Sequence, residues 1–276
     1  MSILHWLYFL FGLVCGSFLN VCIYRIPRRE SIVSPGSHCP ACGSRIRPWD
    51  NIPLLSYIFL RGRCRACGSP ISPRYPAVEL ITGLAFLACA KQWAFTPPTF
   101  VNSLFLALII VLVFVDFEHQ ILPDVVTLPG AMAGILLSPF QAEAVYRDFL
   151  TTGVTAALPW ELSPPVHWTG AIVGALIGGG ILFIFGWAYE RIRRRAGLGM
   201  GDVKMMSMVG AFLGWRLALM TIFAGSLAGS VLGLFLVLFK GKTLQHKLAF
   251  GTFLGAGAAA MLFLGLPFLG WYTAPR

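Results

Sequence analysis

Eight apolar runs, at about 3–22, 77–93, 99–115, 125–139, 168–188, 203–214, 217–239 and 248–270, dictate the architecture of this chain. Most are long enough to cross, or nearly cross, a hydrocarbon layer of about 30 Å. Only 12% of the residues are charged against 57% hydrophobic, and the mean hydropathy is +0.76, which excludes an ordinary soluble domain. The pattern predicts an all-α polytopic membrane protein of about eight transmembrane helices. Residues 1–22 lack a basic start and a clear cleavage site, so the first run is expected to stay as a helix.

The net charge of +10 would suit a nucleic-acid binder, but its distribution points elsewhere. Of the 21 Lys and Arg, 17 fall in three segments, Arg25–Arg74, Arg191–Lys204 and Lys240–Lys247. If all eight runs cross, these segments share one side, and the positive-inside rule makes it cytoplasmic. Both chain ends then face outward, and the 140–167 loop, with Glu143, Asp148 and Glu161 against Arg147, is external. Topology thus accounts for the charge, with lipid as the expected surroundings and no nucleic acid.

The composition divides the chain into a first transmembrane helix, 1–24, a cytoplasmic four-cysteine module, 25–75, and a transmembrane core, 76–276. The module carries Cys39-Pro-Ala-Cys42 and Cys64-Arg-Ala-Cys67, each pair followed by glycine (Gly43, Gly68). Paired CxxC knuckles at this separation predict a tetrahedral zinc site, a small zinc-ribbon-like insertion. Four thiolates close the shell and leave no place for water, so the zinc is expected to be structural, holding together a module too small to fold reliably without it. Disulfides are the alternative, but a cytoplasmic module is reducing. His38 reads as a surface residue, and Cys15, Cys22 and Cys89 as packing residues in apolar helices. The aromatic, Pro-rich stretch Arg47–Tyr57 would lie on the membrane surface or hold a substrate segment.

Two isolated acids at the edges of apolar runs are functional suspects. Asp116 ends the 99–115 run, which travels outside to inside, and Asp202 lies beside Lys204 in a basic segment, so both reach the cytoplasmic boundary. The short runs that follow, 125–139 and 203–214, would span only about 22 and 18 Å and leave a water-accessible recess. Two facing carboxylates would make an aspartyl hydrolase site. A helix C-terminus beside Asp116 would favour its protonated form, to polarise a carbonyl. A helix N-terminus and Lys204 beside Asp202 would make that group the base that takes a proton from water. Gly199 and Gly201 would let a substrate backbone approach Asp202. Asp124, after Pro123, reads as a helix N-cap, and the same plain capping reading stays open for Asp202. Glu118 and His119 read as polar loop groups. Glu79, in the first turn of the helix after Pro76, is either a helix-start acid or a functional one on the same edge.

In this order and spacing, Gly16-Ser17-Phe18-Leu19-Asn20-Val21, the two knuckles, Arg47–Pro53, Arg74-Tyr75-Pro76 with Glu79, Asp116 through Asp124, Gly199-x-Gly-Asp-x-Lys204 and Phe250-Gly251 resemble the bacterial prepilin leader peptidases over nearly the whole chain. The resemblance implies Asp116 and Asp202 as the catalytic pair of a GxGD-type intramembrane aspartyl protease in the bacterial inner membrane. It also implies substrates that are type IV prepilins and type II secretion pseudopilins, and methylation of the new N-terminus by S-adenosylmethionine. No GxGxxG fingerprint is present, so a methyl-donor site is expected near the zinc module and Glu79. Where many relatives carry Pro-Phe-Gly-Pro, this chain has Phe250-Gly251-Thr252-Phe253. Two other readings remain: a peptidase without methyl transfer, and a proton-coupled transporter, though transporters place their acids nearer the midplane and show inverted repeats. A zinc scaffold without catalysis would leave Asp116 unexplained.

Overall fold

The structure, a computed structural model, describes residues 2–141, 167–194, 199–240 and 249–273. Glu143, Arg147, Asp148 and Glu161 of the expected external loop, and Arg195, Lys242 and Lys247 of the basic segments, lie outside the described residues. Each apolar run of the sequence is helical: α1 Ile3–Arg25, α3 Arg74–Trp93, α4 Pro97–His119, α5 Asp124–Leu137, α6 Trp168–Arg193, α7 Met200–Lys240 and α8 Phe250–Thr273, with the short α2 Leu55–Phe59 in the module. Among the described residues four helices are long and apolar enough to cross a membrane: α1, α4, α6 and, over Met200–Phe235, α7. Among the described residues there is no β-sheet, only two isolated bridges. The chain forms two compact units, Met1–Phe95 and Thr96–Arg276.

In the first unit α1 lies against α3 through small residues. A Cβ on Gly12 would come 2.9 Å from the Gly83 Cα, and one on Gly16 would come 2.7 Å from the Glu79 Cα. This Gly-xxx-Gly face brings the two backbones together, as dispersion between helices in lipid requires. The Tyr8 and Phe86 rings stack at 5.5 Å beside it. Polar groups then tie the helix ends to the module. Asn20 Nδ2 donates to the Tyr75 carbonyl at 3.0 Å, and the buried Arg25 donates to the Ser31 and Pro35 carbonyls at 2.8 and 2.7 Å.

In the second unit the first half of α7 is the central element. Met205, Met206, Met208, Phe212 and Leu213 are fully buried, and the Phe212 ring meets Phe105 of α4 at 5.0 Å. Helix α6 reaches it backbone to backbone, Gly174 against Gly210. At Gly214 the dihedrals are φ 77° and ψ 167°, so the two runs 203–214 and 217–239 are separate helical stretches that meet at this glycine. Opposite the core, α5 exposes Val125, Leu128, Met132 and Leu136, a stripe at helical spacing suited to lipid. The buried hydroxyls of Ser103 and Thr221 bond within their own helices, to Thr99 O at 2.7 Å and Leu217 O at 2.8 Å, so they cost little in an apolar medium.

Candidate active site and metal centre

The four-cysteine cluster is built twice from the same local unit. In each knuckle the first Cys receives a bond from the Gly that follows the second, Gly43 N–H to Cys39 O at 2.8 Å and Gly68 N–H to Cys64 O at 2.9 Å. The first Cys N–H returns to the residue beyond, Ser44 O or Ser69 O, at 2.9 and 2.8 Å. Gly43 and Gly68 hold φ +70° and +71°, the left-handed turn that swings both thiols of a pair to one side. All four Sγ atoms lie within 4.8 Å of one another, with Cys39 and Cys67 at 3.9 Å. A disulfide needs about 2 Å. A tetrahedral site with metal–sulfur bonds of about 2.3 Å separates its sulfurs by about 3.8 Å.

The surroundings favour the thiolate of Cys39. Backbone N–H groups of Cys42 and Ala41 hold the Cys39 thiol down to about 6, with a smaller contribution from Ser69. The Ser44 hydroxyl lies 3.0 Å from Cys42 Sγ, and that of Ser69 lies 3.0 Å from Cys67 Sγ. His38 does not join the cluster. Its Nδ1 contacts the Gly36 carbonyl at 3.1 Å, as a surface residue can. Beside the cluster Arg65 grips Asp50 with three hydrogen bonds of 2.6–3.1 Å, and this bond holds the Asp50 carboxyl below the usual range.

Glu79 lies in the second turn of α3, one turn later than the sequence suggested, because the helix already starts at Arg74. It is buried, and its Oε2 accepts the Leu54 N–H at 2.8 Å, where Leu54 sits at φ 60°. It therefore does not act as a helix-start acid. It lines a cavity of about 850 Å³ whose wall also includes Asn20, Tyr24, His38, Cys39 and Tyr57.

The acidic site is assembled from the ends of three helices. Helix α4 continues past the expected stop at Val115 to His119, so Asp116 stands in its last turn, with its backbone carbonyl taken by Gln120 N–H at 2.8 Å. The Asp116 side chain is buried, and its Oδ2 accepts the Thr252 N–H at 2.6 Å and lies 3.0 Å from the Thr252 hydroxyl. Thr252 is the third residue of α8, and that helix start comes so close that a Cβ on Gly251 would lie 3.0 Å from Asp116 Oδ2. The half-buried Asp202, third residue of α7, lies within electrostatic reach of Asp116. Its N–H bonds the Gly199 carbonyl at 3.1 Å, and a Cβ on Gly199 would stand 3.3 Å from its Oδ2. Leu122 joins the three helix ends, touching the positions a Cβ would take on both Gly201 and Gly251.

Two expectations change here. Asp124 is the first residue of α5 with Pro123 at the cap position, and it caps nothing. Instead both its oxygens accept from Lys204 Nζ, at 2.8 and 2.7 Å. Lys204 is therefore engaged by Asp124, and Asp116 faces the donors of a helix N-terminus. These donors offset the helix C-terminus at Asp116, whereas Asp202 keeps its place in the first turn of α7 and only loses Lys204 to Asp124. Glu118 and His119 belong to the exposed last turn of α4 and approach each other to 4.0 Å. Thr252 and Leu122 had no assigned place in the site. A hydroxyl residue three places into a helix was the available signal for Thr252.

Residues 10–93 match the model of the bacterial peptidase A24 N-terminal domain, and residues 103–234 match that of the type IV leader peptidase family. A prepilin leader peptidase/N-methyltransferase of Aeromonas hydrophila is 33% identical over 98% of the chain and 95% of that protein. One of Pseudomonas aeruginosa is 33% identical over 92% of the chain and 88% of its own length. One of Myxococcus xanthus is 41% identical over 85% of the chain, which spans 63% of that longer protein. No solved structure matches. A relative that is a third identical from end to end, and two family models that together span the metal cluster and both acids, place the chain in one group: it belongs to the type IV leader peptidase family.

Proposed function

We propose that this protein cleaves the leader peptides of type IV prepilins and type II secretion pseudopilins, and then methylates the new N-terminal residue with S-adenosylmethionine. The observation that carries the reading is that Asp116 and Asp202 stand at the ends of apolar helices that meet around Leu122, in a chain of the leader peptidase family. Acting as a dyad, they share one proton. One carboxyl takes a proton from water as the water attacks the scissile carbonyl. The other polarises that carbonyl and then passes a proton to the leaving amine. Gly199 and Gly201 leave room beside Asp202 for a substrate backbone. The Lys204–Asp124 pair holds the starts of α7 and α5 together at the same place.

The topology that serves this chemistry is eight crossings with the basic segments and the acids on the cytoplasmic side of the inner membrane. A basic leader would stay at that surface while the apolar pilin helix lies in the bilayer, so that the junction meets the acids. The division of labour follows the composition: anchor helix 1–24, module 25–75 and peptidase core 76–276. In the module the metal is zinc, bound by Cys39, Cys42, Cys64 and Cys67 and structural in role. The sulfur separations and the hydroxyl and N–H donors around them support this reading. The methyl donor would enter the cavity lined by Glu79, whose volume accommodates a nucleoside-sized molecule.

Purified protein in detergent, given a prepilin and a methyl-labelled donor, should release the leader and label the mature N-terminus. Release without label would leave a peptidase alone. Neither product would remove the reading.

A further inference from the structure

Asp116 differs from Asp202 in having one of its oxygens fully occupied. Oδ2 receives the Thr252 N–H at 2.6 Å and the Thr252 hydroxyl at 3.0 Å. Among the described residues the other acceptor near that hydroxyl is the Val113 carbonyl at 3.4 Å, a weaker alternative by distance. The two donors come from one residue, 136 positions away in the chain, at the start of α8. Its N–H also reaches the Ala249 carbonyl at 3.2 Å, so the Asp116 oxygen at 2.6 Å is the shorter of its two acceptors. The contact is tight on both sides, because Gly251 lets the α8 backbone come within Cβ distance of the same oxygen.

Resting on the peptidase reading, we propose that Thr252 is a positioning residue for peptide cleavage: it pins Asp116 Oδ2 and leaves Oδ1 as the oxygen that works on water and the scissile carbonyl. An oxygen that accepts two hydrogen bonds has both its lone pairs engaged and no place for a proton. The mobile proton of the dyad is then confined to Asp116 Oδ1 and the Asp202 carboxyl. A rotated Asp116 would present either oxygen and spread that proton over more arrangements, few of them productive. Thr252 touches neither substrate nor water in this role and acts only through Asp116.

Thr252→Val keeps the N–H and the shape but loses the hydroxyl, and Thr252→Ser keeps both donors. With a prepilin in detergent, Thr252→Val should lower kcat by roughly 10- to 100-fold, the range for one hydrogen bond to a charged group, with KM changed less than about threefold. Thr252→Ser should restore kcat to within about threefold of the parent. Should Thr252→Val fold poorly, as judged by gel filtration and helical circular dichroism, Thr252→Ala makes the same test with a smaller side chain. Parent-like kcat in the valine or alanine variant, or a serine variant as slow as either, would overturn the proposal. An unaltered protein that leaves the prepilin uncut would overturn the peptidase reading instead, so the two failures are distinct.

Discussion

The four-cysteine cluster and the acidic site differ in how far along the chain their parts lie, and this difference governs what each can tolerate. The four cysteines fall within Cys39–Cys67, and each knuckle is closed by hydrogen bonds between residues no more than five apart. Its geometry is local and repeated. The acidic site joins residues 116, 122, 202 and 252, from helices α4, α7 and α8 and the turn after α4, and has no local unit at all. A local site depends on its own ligands. A site made from helix ends depends on every contact that sets those ends.

The sharpest test of the comparison is to remove one acid. Asp116→Asn or Asp202→Asn should each reduce leader cleavage by about 10²–10⁴-fold or more while the metal content stays unchanged. Cleavage is read by gel shift and metal by elemental analysis. Mature pilin supplied to these variants should still gain one methyl group by mass spectrometry, whereas Glu79→Gln should impair that reaction. Methylation lost along with cleavage in well-folded dyad variants would mean that the two reactions share one site.

Cys39→Ser or Cys64→Ser should have the complementary effect: about one zinc lost per chain, and residues 36–72 opened to added protease, with the helices of 96–273 still intact. A structural four-thiolate zinc supplies on the order of 10 kcal/mol to such a module, so the loss should be complete and not graded. Acidification should release the metal as protons compete for the thiolates. Cys39, whose thiol is held down to about 6, is itself half protonated near that pH. Full protease resistance after chelation would show that the module folds without metal.

A smaller effect should come from Gly251→Ala. The new methyl would meet Leu122 Cδ1 at 2.9 Å and Asp116 Oδ2 at 3.0 Å, and the helix start must move to admit it. A cost of about 1–3 kcal/mol in stability is expected, with cleavage reduced about tenfold and metal content unaltered. Thermal unfolding and kcat measure the two parts. The smallest effect should come from Asp124→Asn or Lys204→Met. This ion pair is largely solvent-accessible, Asp124 being 57% exposed, and such pairs contribute about 0–1 kcal/mol. Cleavage should survive both changes. Abolished cleavage in Lys204→Met would move Lys204 into the catalytic machinery.

What could be read from the sequence follows the same division. The helices, the knuckles with their glycines, and the two suspect acids were legible because each rests on spacing within a few residues: a run of apolar side chains, a CxxC turn, a charge where lipid should be. Helix limits were less exact. The last turn of α4 and the first turn of α3 are polar, at Asp116–His119 and Arg74–Tyr75, and hydropathy alone does not register them as helix. The partners of the acids could not be read at all. Lys204 looks like a neighbour of Asp202, two residues away, yet it bonds Asp124, 80 positions distant. Asp116 looks like an acid at a bare helix C-terminus, yet the start of α8 supplies it with two donors. Sequence alone determined that this chain is made of apolar helices and carries a four-cysteine cluster and two acids at the edges of apolar runs. Only the tertiary structure decided what surrounds each acid, because a helix end meets whichever other helix end the packing of glycine faces brings to it, and no local pattern encodes that meeting.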